Sequence, residues 1–165
     1  MGGCFAELSR IESQSWKEAN GTSLGSYAPL QRFFQRYMVA AAEAGTLRIH
    51  LLRIGPTAVA FLMGVAYAGR MWVLKIGFDE SFAACSPGVL LMHEAIRLAF
   101  EARMEAFEFL GTDERWLHVW TDEVHRHLGI HLYPFSLTGL LHLGSDSSSY
   151  LLHRIPGRRH AAPKE

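Results

Sequence analysis

The run from Thr57 to Tyr67 (Thr-Ala-Val-Ala-Phe-Leu-Met-Gly-Val-Ala-Tyr) holds no charged residue and is bracketed by two turn signals, Gly55-Pro56 and Ala68-Gly69. A bilayer-crossing helix needs about 20 apolar residues, so this run is too short to span a membrane. Its small and branched side chains suit a strand buried on both faces. Upstream, Leu47, Ile49 and Leu51 alternate with Arg48 and His50, the period of a half-buried strand. Downstream, Arg70 to Ile76 reads as a third strand. Turns this short join antiparallel neighbours, so the three strands form a meander.

Helical periods flank the meander. Leu30, Phe33, Phe34, Tyr37, Met38 and Ala41 recur at helical spacing between Pro29 and Ala44, and Gly45 supplies the stop. From Ser86 to Arg103, Leu91, Ala95, Leu98, Ala99 and Ala102 form an apolar stripe. Glu94, Arg97 and Glu101 pair along the opposite face. Ser86 suits the N-cap, Pro87 the first helical position, and Gly88 leaves the backbone open to a ligand. Ala106 to Leu110 is a short strand, expected to return parallel through a right-handed crossover. Asp113 to Trp120 reads as a short helix, and His125 to Pro134 as a further strand carried by Leu128, Ile130 and Leu132. Residues 1–28 are mixed, 144–149 read as a loop, and those after Pro156 as a disordered tail. The expected fold class is α/β (α+β), a mixed and mostly antiparallel sheet flanked by helices. It forms one domain over 1–155 with a tail at 156–165.

Composition narrows the function. The formal net charge is zero, which removes the electrostatic argument for nucleic acid. The basic residues Arg154, Arg158, Arg159 and Lys164 read as a solvated tail. Cys4 and Cys85 make no disulfide framework. No charged segment followed by an apolar core opens the chain, and the expected setting is cytoplasmic. His125, His127 and His131 lie close in sequence, but further ligands are not evident and no metal is expected.

Three ordered motifs carry a resemblance: Glu12 to Lys17, containing Ser-Trp-Lys; Gly77-Phe78-Asp79 running to Ser86-Pro87-Gly88; and Phe107-Glu108-Phe109-Leu110-Gly111 leading to Asp113-Glu114 and Trp116. With the order helix, meander, loop, helix and parallel strand, the chain resembles the GNAT acyltransferases. It looks most like their CelD-type branch, which is related to the Fem-type peptidoglycan aminoacyltransferases. The resemblance covers roughly residues 12–120. It implies a GNAT-like fold whose last two core strands splay apart to admit the pantetheine arm of acetyl-CoA or another acyl-CoA. The pyrophosphate would then rest on the N-terminus of the following helix. Implied partners are the acyl-CoA, a small-molecule, sugar or peptide acceptor, and a second GNAT-like half. Two departures stand out. Ser-Pro-Gly replaces a loop with two glycines, and Trp116-Leu117 stands where the family has an aromatic–lysine pair.

On that resemblance, Ser86, Pro87, Gly88 and Val89 would hold the pyrophosphate, and a backbone N–H near Ile76 would polarise the thioester carbonyl. Lys75 would steer an anion or stand solvated at the strand end. Asp79 would act as general base or hold its own loop through backbone N–H groups. Asp113 and Glu114 would cap the short helix or serve as acid or base. Trp16, Lys17 and Trp116 would contact the acceptor, or Trp16 packs and Lys17 covers it with its stem. The first function is therefore acyl transfer from acyl-CoA to an amine or hydroxyl. The alternatives are a catalytically degenerate half that supports a partner or binds a ligand, and Fem-type aminoacyl transfer from charged tRNA.

Overall fold

The computed structural model describes residues 2–15, 28–125, 128 and 130–154. Trp16, Lys17, His127 and the tail at 156–165 lie outside the described residues. The chain forms two compact units, Met1–Asp122 and Glu123–Glu165.

In the first unit the elements run α1 (Gly2–Ser13), α2 (Ala28–Glu43), β1 (Leu47–Ile54), β2 (Thr57–Tyr67) and β3 (Arg70–Phe78). A 3-10 turn (Glu80–Cys85), α3 (Pro87–Glu101), β4 (Ala106–Glu108) and a second 3-10 turn (Arg115–Val119) follow. The sheet order is β1-β2-β3-β4. The first two pairings are antiparallel and the last is parallel. This is the mixed α+β architecture of the GNAT fold.

The uncharged run is the centre of the sheet, and Ala58 to Val65 are buried without interruption. Successive side chains point to opposite faces. Phe61 and Met63 pack with Phe5, Leu8 and Ile11 of α1 and Met38 of α2. Ala60 and Leu62 pack with Leu91, Met92, Ala95 and Ala99 of α3. Burying each large side chain contributes about 1.5–3 kcal/mol, so two faces of one strand hold three helices.

Several expectations are corrected. Residues 2–13 are helical, because Phe5, Leu8, Ile11 and Glu12 share one buried face. Ser86 is not a side-chain N-cap: it sits at φ 49°, ψ 48° and its hydroxyl makes no capping bond. Its N–H closes the 3-10 turn on the carbonyl of Ala83, and that role sets its left-handed backbone. The strand at 106–110 stops at Glu108, since Leu110 and Gly111 both have positive φ. The short helix is a 3-10 turn over Arg115–Val119.

In the second unit, the described residues between His125 and Pro134 form no strand. Here Leu128, Ile130 and Leu132 are exposed, so the alternation has no neighbouring strand or core to pair with. Residues 144–149 belong to helix α4 (Leu137–Arg154) rather than a loop. The hydroxyl of Ser148 donates back to the carbonyl of Ser145, a bond compatible with helix. Tyr133 donates to Asp146 at 2.5 Å and anchors the helix to the segment before it.

Candidate functional site

The parallel ladder between β3 and β4 has only three rungs: Arg70 with Ala106, Met71 with Phe107, and Trp72 with Glu108. Arg70 and Glu108 reinforce it with an ion pair at 2.7 Å. Beyond Trp72, β3 continues to Phe78 while the other chain turns away through the positive φ of Leu110 and Gly111. Two parallel strands that part after three pairs leave a wedge-shaped gap.

The wall of that wedge is itself irregular. Met63 pairs with Lys75 and Gly64 with Val73, so Leu74 is an extra residue in β3. A bulge of this kind re-aims side chains and commonly sits beside active sites. Val73 and Ile76 pack on the α3 side of the sheet. Leu74 packs on the α1/α2 side. Lys75 reaches the same side, where its ammonium lies 3.5 Å from Glu12 of α1 and 5.5 Å from the centre of the Phe34 ring. Glu12 is fully buried, so Lys75 is a charge partner in the core rather than a solvated strand-end lysine. In the sequence Glu12 stands out only as part of a motif. The signal was its place on the apolar face of α1, three and four residues beyond Ser9 and Leu8.

The loop from β3 to α3 borders the wide end. Asp79 is buried and accepts from the N–H (2.9 Å) and the hydroxyl (2.6 Å) of Ser81. Its own N–H donates to the carbonyl of Val59, and Glu80 donates to Gln14 at the end of α1. Replacing Asp79 with Ala is expected to cost about 1–2 kcal/mol, as for other lost caps. Denaturant unfolding checks this, and a change within about 0.5 kcal/mol, as at a featureless surface site, would remove the capping role.

At the start of α3, Pro87 is buried at the first position and Val89 is 55 % exposed. Among the three backbone donors expected here, Ser86 N–H goes to Ala83 and Val89 N–H to the Ser86 carbonyl, at 2.9 and 3.1 Å. The Gly88 N–H is left at the positive end of the helix. Gly88 has a packing reason as well: a Cβ there would lie 3.2 Å from the Phe78 ring. The glycine lets the helix start close against the end of β3.

A pocket of about 390 Å³ opens at the narrow end of the wedge, between β3 and α2. Trp72, Leu74 and Leu110 line it where the strands part, and Tyr37, Thr46, Val65 and Tyr67 complete the wall. The Trp72 indole N–H donates to the carbonyl of Tyr67 at 3.2 Å, which fixes the ring.

The remaining candidates lie in the segment after β4. Glu114 accepts from the Trp116 indole at 2.7 Å, and Trp116 meets Phe109 edge-on. Asp113 lies 3.2 Å from His118, whose other nitrogen is 3.0 Å from Asp122. The bond to Asp122 and the charge of Asp113 raise the His118 pKa above its ordinary value. Among the described residues no three His, Cys, Asp or Glu side chains converge on a metal position.

Residues 4–117 match the family described as the acetyltransferase (GNAT) domain. No curated protein and no solved structure matches the chain.

Proposed function

Because this chain belongs to the acetyltransferase (GNAT) domain family, a family of acyl transfer, we propose that it moves an acyl group from acyl-CoA to an amine or hydroxyl acceptor. The observation that carries this reading is the three-rung ladder, which leaves β3 and β4 apart beyond Trp72. The gap fits a thin, flexible arm. Its wide end meets the start of α3, where the Gly88 N–H and the helix dipole favour an anion. We read the chain as CelD-type within the family, on Ser86-Pro87-Gly88, and the setting as cytoplasmic. Among the described residues no helix is long and apolar enough to cross a membrane.

When bound, the acyl-CoA supplies a thioester, whose carbonyl carbon is the electrophile. In this reading the β3 backbone near Ile76 donates to the carbonyl oxygen as negative charge develops there. The acceptor lone pair attacks, the new C–N or C–O bond forms, and the C–S bond breaks. The proton leaving the acceptor passes to water or to a carboxylate, and the departing thiolate takes up a proton. Asp79 is committed to Ser81 and holds the loop. Asp113 and Glu114, which hold His118 and Trp116, are the carboxylates proposed from sequence for proton transfer, and Trp116 the contact to the acceptor, with Trp16 and Lys17 as further acceptor contacts proposed from sequence. Lys75 orders the β3 wall through Glu12.

A second reading, a half without turnover, draws on Trp116-Leu117 and on the engaged N–H groups of Ser86 and Val89. Binding separates the two from a misassigned site. Val89→Glu is expected to raise the Kd for CoA about tenfold or more, about 1.4 kcal/mol. A carboxylate in the first turn favours the helix itself, so folding is retained while the pyrophosphate is repelled. Calorimetric titration of both chains checks it, and unchanged affinity in the variant would move the anion away from α3.

A further inference from the structure

The pocket at the narrow end of the wedge is larger and more apolar than an acetyl group requires. An acetyl methyl is close to a water molecule in size, about 30 Å³ of liquid volume, against a pocket of about 390 Å³. No lining side chain carries a formal charge, and three of them, Tyr37, Tyr67 and Trp72, are aromatic. The pocket is open to solvent on one side, with Tyr67 68 % exposed, and sites that take small molecules start at about 300 Å³ and are lined mostly by apolar and aromatic side chains.

Its position says which group it meets. Trp72 closes the last rung of the ladder, and Leu74 and Leu110 lie two residues past the two ends of that rung. They flank the point where the strands begin to part. A chain threaded into the gap from the α3 end runs along β3 toward Trp72 and arrives at this pocket. Leu74 packs on the α1/α2 side, and Tyr37 of α2 lines the pocket with it, so the pocket lies off the wedge on that side.

We propose that this pocket holds the acyl chain of the donor, and that the preferred donor carries an uncharged acyl group longer than acetyl. The proposal rests on the acyl-CoA reading above. Each methylene moved from water into the pocket is worth about fourfold in affinity. Hexanoyl-CoA is therefore expected to bind at least about tenfold more tightly than acetyl-CoA, with the gain levelling off once the pocket is full.

The test is calorimetric titration of the full chain with CoA, acetyl-CoA, butyryl-CoA, hexanoyl-CoA and decanoyl-CoA, beside ethylamine, n-butylamine and n-hexylamine without CoA. A rising series supports the proposal, and Leu74→Trp is expected to abolish the rise while still binding CoA. Should that variant not fold, the wild-type series decides alone. Binding of CoA with a flat series, or with acetyl-CoA tightest, overturns the proposal and leaves the donor reading intact. Chain-length gain seen with alkylamines but not with acyl-CoA assigns the pocket to the acceptor and overturns it too. Binding of no CoA species overturns both readings together.

Discussion

Replacing Lys75 with Met is expected to destabilise the protein by about 3–5 kcal/mol, the usual cost of removing one partner from a buried ion pair. Glu12 is fully buried and its carboxylate lies 3.5 Å from the ammonium. The variant leaves that carboxylate in the core without the Lys75 cation. For a chain of this size the melting temperature should fall by roughly 2–4 °C per kcal/mol. The double variant Glu12→Gln with Lys75→Met should recover much of the loss, because no buried charge then lacks its counterpart. Thermal unfolding of the wild type, both single variants and the double variant closes the cycle. If Lys75→Met melts with the wild type, the ammonium is not compensating a buried charge, and the pair is incidental.

The second large effect belongs to Gly64. A Cβ at this position would lie 2.3 Å from the Trp72 carbonyl oxygen and 2.7 Å from the end of Met71. The Met71 side chain can move aside, but the carbonyl is backbone of the adjoining strand. Gly64→Ala therefore forces β2 and β3 apart beside the bulge. Overpacking typically costs 1–3 kcal/mol, and a clash with backbone belongs at or above the upper end, about 3 kcal/mol. Trp72 moves with its carbonyl, so the last rung with Glu108 is disturbed as well. The expected result is a lower melting temperature together with weakened acyl-CoA binding. An alanine variant that melts within about 2 °C of wild type, less than one kcal/mol at this size, would mean the strands do not approach so closely.

Much of this architecture was legible in the sequence. The uncharged run, the alternation before it and the short turns around it gave the meander. The stripe from Leu91 to Ala99 gave α3, and the crossover rule gave the parallel strand. What was missed has local causes. In α1 the face is short, and its fourth buried position is Glu12, a carboxylate that hides the period until Lys75 is seen beside it. In α4 the polar run at 144–149 carries turn chemistry, yet it sits inside a helix. At 125–134 the alternation was real, but alternation specifies a strand only where another strand is present to pair with. The site divides in the same way. The helix start at Pro87 and the gap beside β3 followed from topology and family resemblance. The bulge at Leu74 and the pocket beside Trp72 did not, because they depend on which residues face each other across strands.

The three-rung ladder has a mechanical meaning. One side of the wedge is β3, paired along its length with β2 and packed on both faces. The other is a three-residue edge strand. The first is held at eight paired positions and the second at three, so the second yields the more easily. A molecule that enters meets a ruler on one side and a spring on the other. Width alone then discriminates poorly, since the spring yields. Selectivity has to be written on the ruler, in the identities of Trp72 and Leu74, and a change of substrate range is reached by substitutions there sooner than by any remodelling of β4.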